Sequence, residues 1–200
     1  MSLPGGTLSG TNPLLKGDTA MTTAPAAHRP AVPAPRPALI DLIDLIAAVR
    51  HVIDMRADWA RTAMLVADQL RAHLPGPGIL TPDQRRGQPG RPAGHVLHAE
   101  TDGTFSILGL VWRPGQSTRI HDHVTWCVVG VLQGIEHEDL YNDQLTPIGA
   151  RDNHPGEVSG FAPPGDIHRI CNTGTRTAIS LHIYGTDITR IGSSARRFYS

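Results

Sequence analysis

The residues best suited to chemistry in this 200-residue chain are histidines in two short segments. The first runs Gly115-Gln-Ser-Thr-Arg-Ile-His121-Asp-His123-Val-Thr-Trp-Cys127 and continues to Gly134. Side chains alternate along a strand, so His121 and His123 share a face and can share one metal ion. The second is Pro163-Pro-Gly165-Asp-Ile-His168-Arg-Ile-Cys171-Asn172. Here a Pro-x-Gly turn delivers a strand whose His168 can be the third ligand. Three neutral imidazoles leave a divalent ion nearly its full positive charge. Such a site favours anions, above all a thiolate, whose deprotonation the ion promotes. Three ligands on one side also leave positions open for a chelating substrate and for dioxygen. Iron(II) is the expected cofactor, although imidazole also suits zinc, copper and nickel. Downstream, Ser180-Leu-His182-Ile-Tyr184 puts three polar side chains on one strand face, where they can form a hydrogen-bonded row.

The spacing of the two histidine segments resembles the paired signature motifs of the cupin superfamily. Gly115, His121, His123, Cys127 and Gly134 keep the first motif's intervals. Pro163, Gly165, His168 and Asn172 keep the second, with Gly156 one position early. Many cupins carry a glutamate ligand where this chain has Cys127. The Ser180-His182-Tyr184 row, the His-Asp-His motif, Leu-Gln-Gly at 132–134 and Trp112 together resemble the cysteine dioxygenase family of thiol dioxygenases, from about His95 to Asp187. The resemblance implies a non-haem ferrous ion held by His121, His123 and His168. It implies a small thiol acid and O2 as the partners, with both oxygen atoms going to sulfur to give a sulfinic acid. Tyr184 would set its hydroxyl near the reacting atoms, with His182 orienting Tyr184 and Ser180 orienting His182.

In part of that family a cysteine at the place of Cys127 forms a thioether with the tyrosine matching Tyr184, while many bacterial relatives have glycine. Two roles therefore stay open for Cys127: a cross-link, or a small buried side chain filling the barrel. The loop from His123 to Cys127 is one residue shorter than in the cross-linking branch. A thiol acid also needs a cation for its carboxylate. The cysteine-specific branch carries an arginine where this chain reads Ala93-Gly-His95-Val. The branch acting on 3-mercaptopropionate carries one after the Tyr-Gly segment, where this chain offers Arg190, Arg196 and Arg197. Arg197 is the first choice, with Arg190 and His95 as further candidates, and the substrate stays open between cysteine and 3-mercaptopropionate. Two other classes compete: a different cupin metalloenzyme (an isomerase or carbon-substrate dioxygenase) and a non-catalytic cupin that binds a small ligand. Neither needs the polar row.

The elements that must position these residues are mainly β. From His95 the hydrophobic period falls to two, with strand candidates at 95–100, 104–112, 118–120, 125–133, 136–141, 145–150, 157–161, 167–172 and 177–184. Short strands with turn signals and no intervening helices predict a small antiparallel barrel, the cupin architecture, over 95–187. A helical lead-in is expected over 39–74. Leu39, Leu42, Ile43, Ile46, Val49 and Ile53 form one apolar stripe, and Trp59, Ala63, Val66, Leu70 and Leu74 form another. Met55 and Met64 read as core, residues 75–94 as an irregular loop, and 188–200 as a C-terminal tail. Residues 1–38 hold seven of the 17 prolines and read as disordered.

Composition excludes several classes. Lys+Arg and Asp+Glu are both 18, so the net charge of zero gives no bulk attraction for nucleic acid or an anionic membrane. No apolar run has the length of a membrane span, and no secretory signal is read. Cys127 and Cys171 cannot make a disulfide framework, so a cytoplasmic protein with reduced thiols is expected. His137 and His154 read as exposed, Cys171 as core, and the oligomeric state has no sequence signal.

Overall fold

A computed structural model describes residues 37–199. The disordered segment expected over 1–38 falls outside the described residues up to residue 36. Two helices open the described chain, α1 (Ala38–Asp54) and α2 (Trp59–Ala72). Asp58 caps α2, its carboxylate accepting from the Arg61 backbone N–H at 2.8 Å. The buried face of α1 is Leu42, Leu45, Val49 and Val52, a stripe of period three and four. Leu39 and Ile43, assigned to the apolar stripe from sequence, lie one position off that face and are exposed. Met55 and Met64 are likewise exposed rather than core, because the face of α2 that meets the sheet is Thr62, Ala63, Val66, Ala67 and Leu70.

Ten strands follow among the described residues, in two five-stranded sheets whose pairings are all antiparallel. The first contains β1 (Ala93–Ala99), β2 (Ser106–Trp112), β4 (Cys127–Gln133), β7 (Val158–Phe161) and β9 (Ala178–Tyr184). The second contains β3 (His121–His123), β5 (Glu136–Tyr141), β6 (Pro147–Asn153), β8 (His168–Cys171) and β10 (Ala195–Phe198). Their spatial orders, β1-β2-β9-β4-β7 and β10-β3-β8-β5-β6, interleave distant strands as a cupin barrel requires.

The outer face of the first sheet buries Ile107, Val111, Val128, Ile179, Leu181 and Ile183 against the helices in one apolar core. Close approach of α2 depends on two glycines. A Cβ at Gly160 would stand 2.8 Å from the Ala63 carbonyl oxygen, and one at Gly130 would stand 3.0 Å from Leu70. The inner face turns Leu108, Cys127, His182 and Tyr184 into the barrel.

The strand reading departs from the structure at three places. Residues 118–120 form no strand, since Thr118 binds Ile170 through its backbone N–H at 2.9 Å and its hydroxyl at 3.1 Å. The strand lies three residues on, at the histidines themselves. The stretch read as an irregular loop over 75–94 contains 3-10 turns at Pro77–Ile79 and Gln84–Arg86, and its Leu80 is buried under Gly109. Finally, the residues read as a tail form a short helix α3 (Ile188–Ile191) and β10, which pairs with β3. No helix among the described residues is long and apolar enough to cross a membrane.

Candidate metal centre and its cavity

β3 is only three residues long, and alternation puts His121 and His123 on its inner side with Asp122 behind. β8 pairs with it in antiparallel register at His121↔His168, which brings the third imidazole alongside. One ring nitrogen from each of the three lies within 4.8 Å of the others. All three residues are buried.

The other ring nitrogens decide which atoms face inward. His121 Nδ1 lies 3.0 Å from the Arg119 carbonyl oxygen, His123 Nδ1 3.0 Å from Asp166 Oδ2, and His168 Nδ1 2.6 Å from Glu138 Oε1. Each acceptor draws the proton to Nδ1 and leaves the Nε2 lone pair free. His168 Nε2 is buried with no hydrogen-bond partner among the described residues. A buried acceptor left bare in this way costs about 1–3 kcal/mol, a cost that a cation at the centre removes. The residues therefore fit a divalent metal ion. Burial, then His168 and His123, pushes the His121 pKa down to about 3, so this ring is neutral and ready to ligate. Glu138 is pushed up by burial, but His168 and Arg151 outweigh this and hold it at about 2. In Asp166 the same opposition, burial against His123, also leaves a lowered pKa.

Glu138 and Asp166 were not singled out from sequence. A signal was present: Glu136-His-Glu138 puts two carboxylates on one face of a strand, and Asp166 lies two residues before His168.

The polar row forms across the inner face of β9. Ser180 Oγ is 3.0 Å from His182 Nε2, and His182 Nδ1 is 3.0 Å from Tyr184 Oη. The Trp112 indole N–H donates to Ser180 Oγ at 3.2 Å, tying the row to β2. Burial, ahead of the neighbouring imidazoles, pushes His182 down to about 3. Burial and then Cys127 push the Tyr184 phenol well above its ordinary value. Cys127 stands opposite Tyr184 in the β4–β9 register, and burial followed by the charges of Glu138 and Asp166 raises its thiol strongly. It is a protonated thiol beside the phenol. Cys171 is the other free cysteine and is only half-buried, short of the core position expected.

These groups open on a cavity of about 520 Å³, lined among others by the three histidines, His182, Tyr184, Cys127, Phe161 and Phe198. Arg197, Arg190 and His95, the expected substrate contacts, are not in its lining. Phe198 faces the cavity, so its strand neighbour Arg197 must face away. There it donates from Nε to Asp122 Oδ2 at 2.8 Å, which pins β10 onto β3. Arg190 turns outward to Asp187 Oδ2 at 2.9 Å and the Thr101 carbonyl. His95 pairs in register with Gly109, whose free face meets Leu80 on the helix side of the sheet. Two other guanidiniums reach the cavity, Arg91 and Arg119. Arg119 lies over the Phe198 ring, 3.9 Å from its centroid. Among the described residues, no Asp or Glu lines the cavity. His137 faces outward between Asp152 and Asp139, and His154 lies at the β6–β7 turn.

The sequence model of the family Cysteine dioxygenase type I matches residues 95–197, more than half of the chain. Cysteine dioxygenase type 1 of Danio rerio is 29% identical over 94 residues, covering 42% of this chain and 47% of that protein. The Rattus norvegicus protein of the same name is 28% identical over 91 residues, covering 42% and 46%. The chain thus matches about half the length of these curated relatives. Among solved structures, an uncharacterized conserved protein with a double-stranded β-helix domain from Klebsiella pneumoniae gives a TM-score of 0.44 at 18% identity, covering 54% of this chain and 89% of that one. A cupin superfamily protein from Desulfitobacterium hafniense gives 0.40 at 20% identity, covering 50% and 83%.

Proposed function

For a chain that belongs to the cysteine dioxygenase type I family, we propose the activity of a non-haem iron(II) thiol dioxygenase acting on a small thiol carboxylic acid. The observation that carries this reading is the pairing of two networks: three histidines with every Nδ1 engaged, and the Ser180–His182–Tyr184 row opening on the same cavity. The overall reaction is R–SH + O2 → R–SO2⁻ + H⁺, in which sulfur gives up four electrons and dioxygen takes them. Ferrous iron held by His121, His123 and His168 would supply the redox chemistry and the acidification of a coordinated thiol. Glu138 and Asp166 hold the ligand rings in their orientation and make them more basic. Tyr184, with its pKa raised, keeps its proton and offers a hydroxyl to the reacting atoms. Phe161, edge-on to His168 with ring centroids 5.2 Å apart, keeps one flank of the ligands apolar.

Arg119 and Arg91 are the cations that remain for the substrate carboxylate once Arg197 and Arg190 are committed elsewhere. A lining with two guanidiniums and no carboxylate suits an acid and offers no counter-charge to an ammonium group. This ranks 3-mercaptopropionate ahead of cysteine. Arg119→Leu is expected to raise KM for the thiol acid about 10- to 100-fold with little change in bound iron, the loss of one charged hydrogen bond of ~1.5–3 kcal/mol. An unchanged KM would take Arg119 out of the substrate site.

Cys127 stands opposite Tyr184 on the adjacent strand, which supports a thioether between them. Forming the C–S bond removes two hydrogens and needs an oxidant, which O2 supplies. Peptide mapping after aerobic turnover is expected to show a Cys127–Tyr184 linked species two hydrogens lighter than the separate peptides. Finding only free peptides would return Cys127 to the role of barrel filling.

The direct test of the activity is anaerobic loading with ferrous iron, then O2 exposure with cysteine, 3-mercaptopropionate, cysteamine and mercaptosuccinate, read by mass spectrometry. A gain of two oxygen atoms on one thiol supports the reading and names the substrate. No product from any thiol, with iron bound, would transfer the assignment to a carbon-substrate cupin or a binding protein.

A further inference from the structure

Away from the metal cavity, a groove of about 690 Å³ is lined by Arg85, Arg86, Arg113 and Arg176, with Thr175 and Thr177 beside them. It shares no lining residue with the metal cavity, and among the described residues no Asp or Glu lines it. Arg86 pairs with Asp83, but Arg85, Arg113 and Arg176 make no ion pair among the described residues. Arg85 Nε is also buried with no hydrogen-bond partner among them. Like charges held together repel, and a buried N–H left bare costs free energy. An anion in the groove relieves both.

The cations come from three segments, each held in place. Arg85 and Arg86 lie in the 3-10 turn Gln84–Arg86. Its start is closed by a reciprocal pair: the Thr81 N–H donates to Gln84 Oε1 at 2.8 Å, and the Gln84 N–H to Thr81 Oγ1 at 3.3 Å. Gly87 ends the turn at φ 61° and lies against Arg113, where a Cβ would stand 3.3 Å from Arg113 Cγ. The glycine thus seats the turn on the aliphatic stem of Arg113. Arg176 is held through Asn172, a fully buried side chain in the β8–β9 connection. Asn172 Nδ2 donates to the Trp112 and Arg176 carbonyl oxygens, each at 2.8 Å, and Oδ1 accepts from the Gly174 N–H at 3.0 Å. One amide therefore locks the backbone beside Arg113 to that of Arg176. Cations fixed before a ligand arrives lose less freedom in binding it.

We propose that this groove is an anion site for a small soluble ligand bearing a diphosphate group. Guanidiniums on separate segments suit tetrahedral oxyanions, which they grip through paired N–H donors. Arg85, Arg113 and Arg176 without counter-charge call for more negative charge than a single carboxylate supplies. A groove of about 690 Å³ admits two linked phosphates, with the Thr175 and Thr177 hydroxyls as further donors. The lining argues against two other sources of phosphate. It has no aromatic ring on which a nucleic-acid base could stack, and no large apolar side chain to enter a lipid surface. The site uses no residue of the metal cavity, so it stands independently of the thiol dioxygenase reading.

The test is a titration of inorganic pyrophosphate into the whole chain, kept free of metal so that chelation does not compete. Calorimetry at about 0.15 M salt is expected to give saturable binding with a Kd below about 1 mM. Nitrogen-15 NMR is expected to show shifts concentrated in the backbone amides of 84–88, 113–117 and 173–177. Arg113→Gln and Arg176→Gln are each expected to weaken binding about 10- to 100-fold, the loss of one charge-assisted hydrogen bond. Arg119→Leu, at the metal cavity, is expected to leave it unchanged. Absence of saturable binding would overturn the proposal, as would an equal loss in Arg119→Leu or shifts confined to the cavity. Phosphatidylglycerol vesicles and a single-stranded oligonucleotide complete the panel. Binding of either one where pyrophosphate fails would also overturn it, giving the groove to a lipid surface or a nucleic acid.

Discussion

His168→Ala is expected to abolish metal retention. The imidazole is buried on β8 with Nδ1 bound to Glu138 and Nε2 bare toward His121 and His123. Removing it takes away one of three ligands and leaves no other donor aimed at the same point among the described residues. Four-ligand structural zinc sites bind with ~10–16 kcal/mol, roughly 3 kcal/mol per ligand, and on that scale the loss of one histidine costs at least about 100-fold in affinity. The substitution also strips Glu138 of one partner and leaves it with Arg151 among the described residues. Glu138→Gln keeps the ligand but weakens its orientation, so an intermediate loss of about 10- to 100-fold is expected. Metal stoichiometry after anaerobic loading and desalting checks both variants. A full complement of iron in His168→Ala would remove His168 from the ligand set.

Tyr184→Phe is the complementary case, since it should keep the metal and lose the chemistry. The ring packs with Leu108 and Cys127 in the barrel, so phenylalanine preserves the packing and deletes only the hydroxyl. That hydroxyl is the outer end of the row through His182 to Ser180, at 3.0 Å for each step. Deleting a positioned hydrogen-bonding group of this kind costs about 100-fold or more in turnover. The expected result is full iron content, a KM within a few-fold of wild type and a strongly reduced kcat. Unchanged turnover would take Tyr184 out of the reaction. The variant also cannot form a thioether, so peptide mapping of wild type and variant together separates a rate loss due to the hydroxyl from one due to the cross-link.

Local pattern was enough for the parts of this protein that depend on spacing alone. His-x-His on a strand, a turn delivering His168, and serine, histidine and tyrosine at alternate positions all obey a period of two, which is a property of the backbone. The barrel and the helical lead-in follow in the same way from hydrophobic period. Errors came where one residue of phase matters. Leu39, Ile43 and Met64 are apolar but lie off the faces that the neighbouring elements cover, and sequence carries no mark of where the neighbour will be.

The charged residues show the limit most clearly. Arg197 stands in the right stretch of sequence to meet a carboxylate, yet alternation with Phe198 turns it to Asp122 on the back of β3. Arg119 falls in the stretch 118–120 that reads as a strand between two motif positions, and only the return of β10 lays it over Phe198 at the cavity. The carboxylates that hold the histidine rings come from a strand 30 residues away, for Glu138, and from a loop 43 residues away, for Asp166. The three candidate ligands and the polar row were therefore legible in the sequence itself, because motif spacing and a period of two mark them. The cations at the cavity and the carboxylates behind the histidines were decided by the tertiary structure, because each depends on which distant segment closes the barrel beside it.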